Sequence, residues 1–192
     1  MDASVNGLPN SLVVDDEKEV ADAYALRLRG LCNTDTAYDG ETALAVVEER
    51  DIDIVLLDRH MPGMSGDDVL AALDERDYYG RVIMVTAIDP GFDVLDMPFD
   101  DYLCKPVERE DVRAAVSQQC VVLGYETLGE YFSVAATRRV IEAEIADDEL
   151  TGHDKYQQTR ERERQLRARA QRLLADAENL FETFDAIGRE GR

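Results

Sequence analysis

The sequence predicts an α/β protein, a parallel sheet with helices on both faces, followed by an all-helical extension. Three observations predict it. Short apolar runs alternate with amphipathic stretches of helical spacing through the first two thirds of the 192 residues. Two of these runs, Ile54-Val55-Leu56-Leu57 after Asp53 and Val82-Ile83-Met84-Val85 after Arg81, are continuously apolar, as strands buried on both faces must be. After residue 123 the β-α rhythm stops and only helical periodicity remains.

The elements follow in order. Ser11-Leu12-Val13-Val14 is the first strand. A helix over 17–29 carries Val20, Ala21, Tyr24, Ala25 and Leu28 on its apolar side, with Gly30 as its stop. Asn33 to Ala37 forms a weaker, edge-like strand, and Ala43, Leu44, Val46 and Val47 mark a helix over 40–50. The runs at 53–57 and 81–85 are the third and fourth strands, and between them a loop with Pro62, Gly63 and Gly66 leads into a helix over 67–77. Tyr102-Leu103-Cys104 is the last strand, and the chain is helical from Val107. Pro90, Gly91 and Pro98 are poor companions for a long helix, so the fourth helix, between Thr86 and Lys105, is expected to be short or irregular.

Charge narrows the setting. Acids outnumber bases 42 to 21, for a net charge of −21, and only Lys18, Lys105 and Lys155 are lysines. Self-repulsion of this size opposes a compact state at low salt and is screened at high salt, which points to a halophile, archaeal, cytoplasmic protein rather than a mesophile chain that happens to be acidic. The same sign disfavours nonspecific nucleic-acid binding by the bulk surface. Cys32, Cys104 and Cys120 have neither metal-ligand spacing nor the even count of a disulfide framework, and read as small hydrophobes in or near a core. Met1-Asp2-Ala3-Ser4-Val5-Asn6 lacks a basic and an apolar targeting region, and no apolar run approaches the ~20 residues that span a bilayer, so a soluble protein with no membrane partner is expected.

In parallel sheets the working site lies at the carboxyl ends of the strands. Asp15 and Asp16 follow the first strand, Asp58 the third, Thr86 the fourth, and Lys105 with Pro106 the fifth, all on one rim. Three crowded carboxylates cannot all stay ionised without a counter-charge. Mg²⁺, held by one or two carboxylates, waters and phosphate oxygens, supplies one. One carboxylate is then free to attack phosphorus and form an aspartyl phosphate. Lys105 offers an ammonium and Thr86 a hydroxyl to the oxygens of the transferring group.

Asp15-Asp16, the run Asp58-Arg59-His60-Met61-Pro62-Gly63-Met64-Ser65-Gly66, Thr86-Ala87, and Asp101-Tyr102-Leu103-Cys104-Lys105-Pro106 together resemble the response-regulator receiver family. The resemblance covers about residues 10–123, the expected receiver domain. It implies a flavodoxin-like, doubly wound five-stranded sheet of order 2-1-3-4-5. It implies Mg²⁺ held by Asp16, Asp58 and the backbone carbonyl of His60, with Asp15 assisting. It also implies phosphorylation of Asp58 by a sensor histidine kinase, and a cis peptide between Lys105 and Pro106. Family members signal through the threonine and an aromatic on the last strand, here Thr86 and Tyr102. Phosphate would draw Thr86 inward and Tyr102 would rotate into the vacated space. The plainer reading makes Tyr102 an amphipathic edge residue. The His60 side chain is expected to tune dephosphorylation at most. On this reading the chain is a switch rather than a turnover enzyme. An aspartate-nucleophile phosphatase would need a general-acid Asp where His60 stands. A phosphorylation-independent scaffold would not need the full set of Asp15, Asp16, Asp58, Thr86 and Lys105.

The tail, 124–192, is expected to form a helical output or dimerisation domain, with Gly124 and Gly129 at the changeover. Residues 126–146 read as one helix and 155–187 as a long second one. Leu166, Ala170, Leu173, Ala177, Leu180, Phe184 and Ile187 step by four and three, an a/d seam that suits a helical hairpin with 126–146 or a coiled coil with a second chain. Arg160, Arg162, Arg164, Arg167, Arg169 and Arg172 form a dense cluster, spread around the helix, readable as a DNA-phosphate stripe or as a solvated face with i,i+4 partners such as Glu163 and Arg167. The tail resembles the HalX domain, a small helical module found after receivers in haloarchaea. Its output is expected to be transcriptional control, protein interaction or a homodimer through the C-terminal helices.

Overall fold

The computed structural model, which describes residues 7–87 and 90–187, divides into two compact units, one spanning Leu8–Cys120 and the other built mainly from the chain from Val121 onward. The opening stretch Met1–Asn6 and the last five positions of the expected tail domain lie outside the described residues.

The first unit is a five-stranded, all-parallel sheet of order β2-β1-β3-β4-β5. Its strands are β1 (Asn10–Val14), β2 (Asn33–Ala37), β3 (Ile54–Leu57), β4 (Arg81–Thr86) and β5 (Asp101–Cys104). The connecting helices are α1 (Lys18–Leu28), α2 (Gly40–Glu49) and α3 (Gly66–Glu75). Every residue of β3 is buried, which is why its sequence is apolar without alternation. Leu12, Val14, Val55, Leu57 and Met84 form one face of the core with Ala43 and Leu44 of α2 and Val69, Leu70 and Leu73 of α3. The alternate residues Val13, Ile54, Leu56 and Ile83 are buried as well, and Ala21, Tyr24 and Leu28 of α1 are buried on their helix. Between β4 and β5 the described residues hold only a 3-10 helix, Phe92–Asp96, bracketed by Gly91 and Met97, in place of a full helix. Ser65 and Asp68 form a reciprocal capping box that fixes where α3 starts.

Two polar residues are buried at the far end of the sheet. Asp53 accepts the Asn10 backbone N–H at 2.9 Å, and Ser11 and Thr34 share a hydroxyl hydrogen bond of 2.9 Å. Cys32 and Cys120 are buried in contact, and that contact together with burial pushes the Cys120 thiol up. Cys104 departs from expectation. It is exposed, because it lies on the edge strand β5.

The expected changeover at Gly124 and Gly129 falls inside a helix. One helix, α4 (Arg109–Glu144), runs through both glycines, and the tail begins within it. The rest of the tail is α5 (Asp147–Thr151), α6 (Asp154–Leu173) and α7 (Ala177–Asp185). The long helix expected over 155–187 is therefore two helices, divided at Leu174, whose backbone is extended (φ −119°, ψ 125°). The division lets Leu174 and Phe181 join the core beside Leu128, Tyr131, Ala135, Leu166, Ala170, Ala177 and Phe184. The heptad seam is thus taken up within the chain. Leu180 is only partly buried and Ile187 is exposed.

Charged side chains staple the outside of this unit. Arg162 grips Glu130 through two hydrogen bonds of 2.9 and 3.0 Å, and Arg138 bridges Glu163 and Glu142. Burial alone would raise the Glu142 carboxyl, but the Tyr156 hydroxyl and the Arg138 guanidinium outweigh it and hold the group below the ordinary range. Glu142 therefore favours the folded state above glutamate's ordinary pKa of about 4.3, and that contribution is lost as pH falls through the lower folded value. Glu142→Gln is expected to flatten the acid limb of this unit's stability curve, read by circular dichroism melts at graded pH. An unchanged limb would show that Arg138 does not discriminate the charged form.

Candidate functional site

The hydrogen-bond ladders of the sheet continue past its strands and seat the site. The Asp58 N–H donates to the Val14 carbonyl at 2.9 Å, the Asp15 N–H to Ala37 at 3.2 Å, and the Lys105 N–H to Thr86 at 2.7 Å. Asp15, Asp58, Thr86 and Lys105 therefore come off neighbouring strands at one rim.

The side chains close on each other there. The Lys105 ammonium donates to Asp15 Oδ2 at 2.6 Å and to Asp58 Oδ1 at 2.7 Å. Asp58 Oδ2 accepts the His60 backbone N–H at 2.8 Å, and Asp15 Oδ1 accepts the Glu17 N–H at 3.0 Å. Burial alone would lower the Lys105 pKa, but the two carboxylates outweigh it and hold the ammonium above its ordinary value. The Asp58 side chain is 8% exposed and that of Lys105 18%, so the carboxylate is walled in and yet open at its rim. Asp16 is exposed beside Asp15, Thr86 is buried, and the His60 side chain faces solvent. The Lys105–Pro106 peptide is cis. Tyr102 is half-buried opposite Met84, its ring 5.5 Å from that of Phe99.

Two supports escape a reading of the sequence. Arg59 binds Asp67 at 3.0 Å, tying the loop after Asp58 to the first turn of α3. Gly66 lies directly against the Asp58 carbonyl and donates its N–H to Arg59 at 3.0 Å. The spacing of Gly66 from Asp58 was a signal for this, but sequence alone marks it only as a loop residue.

Among the described residues no three His, Cys, Asp or Glu side chains form a closed metal cage. Mg²⁺ does not need one. It takes one or two carboxylates and completes its shell with waters and phosphate oxygens. The carboxylates of Asp15, Asp16 and Asp58 are hard oxygen donors, and they fit that ion.

Comparison with known proteins agrees with this geometry. The family model for the response regulator receiver domain matches residues 12–117, and that for the HalX domain matches 121–187. A Haloferax volcanii protein, provisionally named a transcriptional regulator, is 40% identical over 139 residues, covering 71% of this chain and 24% of its own length. The sensory transduction protein RegX3 of Mycolicibacterium smegmatis is 43% identical over 110 residues, covering 55% of this chain and 47% of its own. A CheY-like receiver domain from Methanospirillum hungatei superposes with a TM-score of 0.58 at 24% identity, over 62% of this chain and 99% of that one. The chain thus spans between a quarter and a half of the length of these two curated relatives.

A parallel sheet of this order, with an acid pair, a central aspartate, a threonine and a lysine on one rim, defines a receiver domain. The chain belongs to the response regulator receiver family, and its receiver domain is followed by a HalX domain. Among the described residues no helix is long and apolar enough to cross a membrane.

Proposed function

We propose that Asp58 accepts a phosphoryl group from a phosphohistidine of a sensor histidine kinase, and that the acyl phosphate is the signalling state. The observation that carries this reading is the Lys105 ammonium shared between Asp15 and Asp58 at 2.6 and 2.7 Å, beside buried Thr86. In the transfer an Asp58 carboxylate oxygen forms the new P–O bond as the P–N bond breaks, and the imidazole leaves. Lys105, already charged, turns from the Asp58 oxygen to an oxygen of the arriving group. The Thr86 hydroxyl donates to another. Asp16, Asp58 and the His60 carbonyl, with Asp15 assisting, would hold Mg²⁺, which offsets the charge of the acids and the phosphoryl oxygens.

Movement of Thr86 towards the phosphoryl group would open space for the Tyr102 ring, now against Phe99, and so carry the change to the β4–β5 side of the receiver. The regulatory relatives support control of transcription as the output. A homodimer through the C-terminal helices would use a face other than the heptad seam. Val121, Val122, Tyr125 and Val140 of α4 are exposed apolar residues available for it. The large acidic excess supports a cytoplasm of high salt, in a halophilic archaeon, as the working medium.

The test is intact mass after incubation with acetyl phosphate and Mg²⁺ at high salt. The native chain is expected to gain one phosphoryl group, and Asp58→Ala or removal of Mg²⁺ to abolish the gain. Equal modification of Asp58→Ala would refute the assignment, and sustained hydrolysis of phosphate monoesters would favour a phosphatase.

A further inference from the structure

We propose that the helical unit contains a binding site for a phosphate-type oxyanion, walled by Arg160, Arg164 and Arg167 of α6 and by Arg138 of α4. With Tyr131 and Glu163 these residues line a cavity of about 210 Å³. The arginines of α6 are not all dispersed around the helix. Steps of four and three bring Arg160, Arg164 and Arg167 to one face, and Arg162, Arg169 and Arg172 to others. Four guanidinium groups and one carboxylate line the cavity, and Glu142, Glu161 and Glu178 pair with Arg138, Arg164 and Arg167 from its margin, in a chain whose net charge is −21.

The four arginines are held to different degrees. Arg138 is fixed between Glu163 and Glu142. Arg167 donates to Glu178 at 2.6 Å and to the Tyr131 hydroxyl at 3.3 Å, and lies 4.3 Å from the centre of the Phe181 ring. These two present guanidinium groups in set positions. Arg164 pairs with Glu161 on the surface, the side chains 70% and 50% exposed, a pairing that contributes little. Arg160 rests over the Tyr156 ring at 6.0 Å. Both can therefore turn onto a ligand at small cost.

The chemistry favours phosphate. A planar guanidinium donates two parallel hydrogen bonds to an oxyanion, and a tetrahedral dianion accepts from several such forks at once. Tyr131, whose oxygen accepts from Arg167, keeps its own proton to donate. The cavity has room for a phosphoryl group with a small substituent rather than for a whole nucleotide. The group can belong to a free phosphate or phosphomonoester, or to a nucleic-acid backbone.

The experiment uses the full chain, with EDTA present so that the acidic rim of the receiver has no metal to attract an anion. Inorganic phosphate is titrated at constant ionic strength and binding is read by calorimetry. The native chain is expected to bind, and Arg160→Gln/Arg164→Gln to bind at least about tenfold more weakly with its helical circular dichroism unchanged. Arg169→Gln/Arg172→Gln, which removes the same charge from outside the cavity, is expected to bind as the native chain does. Duplex DNA that competes with phosphate and shows the same arginine dependence assigns the phosphoryl group to nucleic acid. Phosphate binding without such competition assigns it to a small free anion. Native protein that takes up neither ligand, or equal losses in the two double variants, overturns the site.

Discussion

Gly66→Ala is expected to destabilise the receiver by about 3 kcal/mol and to abolish the proposed phosphoryl uptake at Asp58. A Cβ at this position would stand 2.1 Å from the Asp58 carbonyl oxygen and 2.8 Å from the Arg59 Cα. Both are backbone atoms of the loop after β3, so no flexible side chain can swing aside. The start of α3 cannot retreat easily either, since the Ser65–Asp68 capping box and the Arg59–Asp67 pair hold it against that loop. The overlap must displace Asp58, and with it the 2.7 Å contact to Lys105 that orients the carboxylate. Urea unfolding of the receiver and mass uptake from acetyl phosphate measure the two effects. A variant with native stability and native uptake would show that the glycine is not a spacer between α3 and Asp58.

The receiver was legible because its constraints are local in sequence and repeated. Apolar runs ending in Asp15, Asp58, Thr86 and Lys105 state both the strand and the rim on which each side chain must lie. The sheet adds what spacing cannot state, that one ammonium is shared by two carboxylates and that the ladder bonds Asp58 to Val14 and Lys105 to Thr86 seat them. The exposure of Cys104 follows from the edge position that the sheet order gives β5, which a reading from cysteine count and spacing alone does not use. The role of Gly66 was hidden for another reason. Its partner is the backbone of Asp58, eight residues away and across a turn.

The tail was less legible because helical periodicity does not encode where a helix bends. Steps of four and three from Leu166 to Ile187 continue unbroken through Leu174, yet the chain turns there. Glycine is equally ambiguous, and α4 absorbs Gly124 and Gly129 because a helix flanked by tertiary packing tolerates their weak propensity.

The bend has a measurable consequence. Phe181→Ala is expected to destabilise the helical unit by about 3–5 kcal/mol, enough to unfold much of a domain this small. Phe181 is fully buried, its ring lies 4.7 Å from that of Tyr131 at an edge-to-face angle of 63°, and Arg167 covers its face. Truncation leaves a cavity between α4 and α7 and removes the surface against which Arg167 is held. A straight helix over 155–187 would place Phe181 beside the seam and Leu180 within it, so Leu180→Ala would then be the costlier change. In the bent arrangement Leu180 is only partly buried, and its truncation is expected to cost about 1–2 kcal/mol less than that of Phe181. Amide hydrogen exchange distinguishes the two. Phe181→Ala should strip protection from the helices beyond Val121 and leave the strands β1, β3 and β4 protected, whereas equal or larger losses in Leu180→Ala would restore the uninterrupted helix.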